Sequence, residues 1–300
     1  MNQLNRIIVG LVLTVLLPIN ANSNNIEEAN GLYDKAVDAI KAGKDSSVRD
    51  SLLSAALELD PESPQINWQI LWSSSWAIRG EGRLASRAPR LAELAESIDK
   101  VKALAKKRGD TALYHHIQAR YFAAYNQFDK ALEEIDKTLL IEPKSTRFLF
   151  AKADILADKG LWNTDEIDVW TVKGNEILEY ILSADLIPSK QITKYDIYFR
   201  LAYNEAKLKK GNHEKTVNYY LKSLENDAVE NQDRFIWNNM SIAYFKMEHC
   251  QKAFDAAKKA IDESMQRSKR KGYKYNGFGA AESNLRIANY CLEMQKMGVL

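Results

Sequence analysis

The chain has little of what bends or breaks regular structure. Six prolines and thirteen glycines in 300 residues leave few obligatory turns. Valine and isoleucine are scattered and do not alternate with polar residues, which argues against strands. An excess of one charge is missing too. Lys+Arg of 42 against Asp+Glu of 40 gives +2, and removing Arg6 with a leader leaves about +1. Nucleic-acid binders carry a basic excess that is not visible here. Histidine is sparse, and His115, His116, His213 and His249 lack the spacing of a metal site. No phosphate loop, nucleophile elbow or paired-cysteine motif occurs, so no cofactor, metal or enzymatic activity is expected. A catalytic site of unrecognised type is the weakest of three functional classes.

Only two cysteines are present, Cys250 and Cys291. In an oxidising compartment they could form a bridge worth ~3–4 kcal/mol, and otherwise they are small buried side chains. A long hydrophobic run is absent except at the start. Arg6 precedes the charge-free stretch Ile7–Ile19, after which Asn20–Ser23 turns polar. Thirteen apolar residues are too few to span ~30 Å of hydrocarbon comfortably. Residues 1–23 therefore read as a secretory signal cut after Ala21 or Ser23, or as an uncleaved anchor. Export to a bacterial periplasm is expected, with secretion or inner-membrane anchoring as alternatives.

What the chain does contain is a repeat of ~34 residues. It is clearest in Arg234–Met265, where Trp237, Met240, Ser241 and Tyr244 precede a polar turn at Glu248-His249, then Ala253, Ala257 and Ala260. Ala112–Pro143 repeats the skeleton with Ala119, Phe122, Ala131, Ile135 and Pro143. These residues resemble the tetratricopeptide repeat family, in which small residues let two antiparallel helices approach closely and proline ends the second helix. In Arg234–Met265 the proline position holds Met265. Less regular units occupy 30–63, 64–111, 146–190 and 194–230, beside the clear ones at 112–145 and 234–265. An insertion is expected at Leu161–Trp170, with a break in the stack there as an alternative to one continuous array. The helix pair Gln65–Arg79 and Leu84–Arg108 is atypical, its second member being long. The fold expected is all-α, a right-handed superhelical solenoid of about six antiparallel helix pairs over 24–300, capped by a helix at 281–297.

The resemblance implies a non-catalytic scaffold that holds a partner segment in a groove lined by the first helices. The groove residues are Phe235, Asn238, Ile242, Phe245 and Lys246, with His116 and Arg120 in the 112 unit and Phe150 in the 146 unit. Three tryptophans, Trp68, Trp72 and Trp76, share a helical stripe. Counting forward from Pro61 turns them to the groove, and counting backward from Gly80 turns them to the core. Exposed, they would form an aromatic platform for sugars or proline-rich peptides. The stretch Arg267–Phe278 reads as a basic loop whose Arg267, Lys269, Arg270, Lys271 and Lys274 could grip an anionic partner. A glycan- or lipid-binding module built on the stripe and the loop is thus the alternative to a protein-binding scaffold.

Overall fold

The computed structural model describes residues 23–41, 46–75, 77–79, 84–186, 192–226, 233–270, 272 and 274–299. Residues 1–22 of the expected leader lie outside them, as does Trp76. The described residues form thirteen helices and no strand. In chain order they are α1 (Ser23–Lys41), α2 (Ser46–Leu59), α3 (Pro64–Ser74), α4 (Leu84–Lys107), α5 (Thr111–Ala124), α6 (Phe128–Ile141), α7 (Thr146–Trp162), α8 (Ile167–Ser183), α9 (Lys194–Glu205), α10 (His213–Glu225), α11 (Asp233–Lys246), α12 (Cys250–Arg270) and α13 (Gly279–Lys296). None of them is long and apolar enough to cross a membrane. The expected count of six pairs plus a terminal helix is met. The chain divides into two compact units, α1–α6 and α7–α13.

Local chemistry starts the helices. Ser63 caps α3 by accepting from the Ile66 N–H, with Pro64 at the first helical position. Asp110 caps α5, Asn212 caps α10, and Thr193 with Asp196 forms a capping box at α9. The two clear repeats also share a helix stop. Asn126 and Glu248 occupy equivalent places and adopt left-handed φ values of 58° and 60°. Beyond each, a backbone N–H closes the turn, Gln127 onto the Phe122 carbonyl and His249 onto the Tyr244 carbonyl, both at 2.9 Å.

The pairs close on small residues. Ala131, Ala153, Ala202, Ala253, Ala257 and Ala260 are completely buried. In the α7–α8 pair the approach is tighter still, because a Cβ on Gly174 would lie 2.9 Å from the Ala153 carbonyl oxygen. In the first unit, Trp68, Leu91, Ile98 and Ile117 belong to one core cluster and Ala29, Ala56 and Ile66 to another. In the second unit Tyr220, Ile236 and Met240 are central.

Three expectations change. The insertion at 161–170 is mostly helix, since α7 runs to Trp162 and α8 begins at Ile167. No division of the chain falls there; the two units meet after Ile141. The supposed loop from Arg267 is helical through Arg270. With Met265 in the proline position nothing stops α12 at the family's usual place, and it gains another turn.

Glu248 is a β-carbon-bearing residue in a conformation that costs about 1–2 kcal/mol. Glu248→Gly should relieve that cost, minus about 0.5–1 kcal/mol for glycine's greater freedom when unfolded. The expected outcome is a small rise in melting temperature by circular dichroism. A fall would contradict this reading of the turn.

Candidate functional site

The residues singled out in the first unit are largely interior. Trp68 is 2 % exposed and packs with Trp72 at 5.8 Å between ring centroids. His116 is buried too, its ring edge-on to Trp68 at 6.3 Å. Trp72 is half-buried, and the Arg120 guanidinium sits 5.0 Å from its ring centre. Trp68 therefore has no face free to stack on a sugar, and His116 and Arg120 serve the packing of α3 against α5. Long α4 is why the core needs these rings. Its buried Leu91, Leu94, Ile98 and Val101 present a broad apolar face.

In the 146 unit Phe150 is half-buried. One and two turns further along α7, Asp154 and Asp158 are already engaged. The Arg200 side chain of α9 reaches α7 and pairs with Asp154 at 3.0 Å and Asp158 at 2.9 Å. It also donates to the Asp154 carbonyl at 3.2 Å. This arginine ties one first helix to the next.

Helix α11 differs. Phe235, Ile242 and Phe245 are 42 %, 40 % and 40 % exposed, and Lys246 is exposed beside them. Their spacing of seven and three residues keeps them on one side of the helix, away from Tyr244 and Met247. Asn238, expected on the same face, is buried. Its side-chain oxygen accepts from Asn284 of α13 at 3.0 Å, so it docks the terminal helix and does not line a groove. Ser241 is buried and Asn239 donates to the Tyr220 hydroxyl at 2.9 Å, which keeps the Asn239-Met240-Ser241 sequon inside the packing.

Two hollows adjoin α11, the first beside its exposed face and the second on the side of Tyr244 and Met247. One, of about 140 Å³, lies between α9, α10 and α11 and is lined by Tyr203, Lys207, His213, Tyr220, Ile242 and Lys246, among others. The other, of about 280 Å³, is lined by Val217, Leu221, Tyr244, Met247, His249 and Lys252 with Glu214 and Asn218. In the smaller hollow the His213 imidazole is held below its usual pKa by burial and by the Lys246 charge, with Glu205 pulling the other way. Neither Lys207 nor His213 stood out in the sequence. Lys207 lies just past the end of α9 and His213 opens α10, places that gain meaning only when three helices converge. Among the described residues no cluster of His, Cys, Asp and Glu could hold a metal ion.

Cys250 and Cys291 lie 5.5 Å apart at Cα and are joined as a disulfide, both side chains buried. The bond links the start of α12 to the middle of α13. Of the basic set, Arg267 and Lys269 lie on α12, and Lys274 is exposed beyond it. Arg270 ends the helix, and Lys271 lies outside the described residues.

No protein-family model matches the chain, and no curated protein does. Among solved structures it is similar to a chain of the APC/C hetero-tetramer Cut9-Hcn1, a tetratricopeptide-repeat protein, with 16 % identity and a TM-score of 0.56. The match covers 90 % of this chain and 46 % of that one, so this chain spans less than half the length of its structural neighbour. At that identity the likeness establishes the fold alone. The chain is an all-α protein with a tetratricopeptide-like solenoid fold.

Two outcomes follow from this geometry. His213 should titrate below the ordinary histidine value of about 6.5 in an NMR pH series, and Lys246→Gln should move its midpoint upward. The folded-state value is the depressed one, so stability is unaffected above about pH 6.5 and falls as pH drops below it. A midpoint unmoved by Lys246→Gln would contradict the coupling. For the disulfide, a sequence separation of 41 corresponds to about 4 kcal/mol of chain entropy. Cys291→Ser, or reduction, should lower unfolding stability by about that amount in urea melts. A change below about 1 kcal/mol would show that the bond does not hold α13 down.

Proposed function

We infer that this chain is a binding scaffold that holds an apolar segment of a protein partner against α11. The observation that carries the reading is the exposed row Phe235, Ile242 and Phe245, with a hollow lined by Ile242 and Lys246 beside it. Large apolar side chains left out on one helix face, with a concavity beside them, match how helical grooves take peptides. Ile242 lines the smaller hollow, so an inserted partner side chain would bury against it. The tetratricopeptide-like fold supports a protein partner. A preorganised stack also spares the partner part of the ordering cost of binding.

The location we propose is outside the cytoplasm, in a bacterial envelope. Support comes from the apolar leader Ile7–Ile19 and from a buried cysteine pair placed for bonding. Membrane contact enters only through that leader, should it stay uncleaved. The glycan- or lipid-binding alternative loses its aromatic platform at buried Trp68.

The test is recovery of the bound protein from the chain's own cells, with variants as the readout. Ile242→Glu should lower recovery of the partner at least tenfold, about 1.4 kcal/mol. Val169→Glu, at an exposed apolar position on α8, should leave it unchanged. Equal loss with both variants would overturn the assignment to α11.

A further inference from the structure

The start of α11 carries a second feature, which rests on the reading just given and extends it. Arg234 is the chain neighbour of groove residue Phe235. Its guanidinium lies 4.6 Å from the Phe235 ring centre and 5.5 Å from that of Phe278, and the two rings meet edge to face at 5.7 Å. One guanidinium nitrogen donates to Ser264 of α12 at 3.4 Å. Arg267 follows Ser264 by three residues on the same helix, so it stands one turn on along the same face. It is there because α12 runs past Met265 to Arg270.

Two guanidiniums are thus gathered at one end of the exposed row. Among the described residues neither meets a carboxylate, and the Arg234 Nε is buried without a hydrogen-bond partner. Burial and the neighbouring Arg267 charge both press the Arg234 pKa downward. A cation held beside a like charge is most stable once an anion joins it. Guanidiniums suit a carboxylate because their fork pairs with both oxygens.

We propose that Arg234 and Arg267 receive an acidic side chain of the segment held on α11, which makes the partner an apolar segment flanked by Asp or Glu. The spacing is defined by the helix. From Arg234 to Ile242 is eight residues, about 12 Å along the axis. An extended segment covers that in about three to four residues. The motif is therefore an acidic residue three or four positions from an apolar anchor. The Phe235 and Phe278 rings lie against the Arg234 guanidinium and hold it in place, which favours one position for the incoming carboxylate.

A random dodecapeptide display library selected on the purified full chain tests this. Selected peptides should show at least fivefold enrichment of Asp or Glu at that spacing from a large apolar residue. The enrichment should vanish with Arg234→Gln/Arg267→Gln and persist with Lys269→Gln/Lys274→Gln. Apolar peptides without acidic bias, selected only while Ile242 is intact, would overturn the inference and leave the groove reading standing. Loss of the bias in the lysine variant as well would overturn it in favour of diffuse charge. A thermal shift with inorganic pyrophosphate that needs the two arginines, without acidic bias in peptides, would overturn it in favour of a free-anion site. If no peptide is selected at all, the groove reading fails and this inference with it.

Discussion

Everything in this molecule depends on how closely two antiparallel helices can approach. Close approach needs residues with almost nothing beyond Cβ at the crossing points, and the chain supplies them at Ala131, Ala153, Ala202, Ala253 and Ala257. At Gly174 against the Ala153 carbonyl, even a methyl group would need the neighbour to move. Each pair so formed is amphipathic only as a pair. It must then bury its remaining apolar face on the next pair, which is the physical reason for a stack. The terminal helix α13 answers the same need at the end of the second unit. It is held by the Asn284–Asn238 hydrogen bond and by the Cys250–Cys291 bond.

The stack explains why the first helices α3, α5 and α7 have little surface to offer. Each inner position is filled by whatever the neighbouring pair requires. Beside long α4 that means Trp68 and His116, and between α7 and α9 it means the Arg200–Asp154–Asp158 cluster. Burying that arginine is tolerable because two carboxylates and a carbonyl meet it. Helix α11 is the exception. Its inner residues Met240, Ala243 and Ile236 satisfy the core, while Phe235, Ile242 and Phe245 stay exposed, Phe235 meeting only the edge of Phe278 and the Arg234 guanidinium among the described contacts. That exposure on a first helix is why we propose the binding face on α11.

The repeats were legible because their spacing encodes contact. Ala119, Phe122 and Ala131 recur with Ser241, Tyr244 and Ala253 at matching intervals, and the structure gives both units the same left-handed stop at Asn126 and Glu248. Helix lengths were less legible. A missing proline at 265 predicts that a helix need not stop, but not that it continues to Arg270. The tryptophan stripe could not be assigned from either flanking landmark, because the register depends on how far α4 extends over α3. The groove failed at Asn238 and His116 for a related reason. Position in a repeat gives direction relative to its own partner helix, whereas burial is decided by the next pair. His213, Lys207 and the Arg234–Arg267 pairing were invisible for the same cause, since each brings together residues of separate helices.

The central claim is that α11 presents the binding face. Its most direct test is a photo-crosslinking amino acid placed singly at Phe245 and, as a control, at Val172 on α8, both exposed. Irradiation of living cells carrying each variant should give one discrete crosslinked protein band from position 245 and none from position 172. The same band from both positions, or from position 172 alone, would contradict the account.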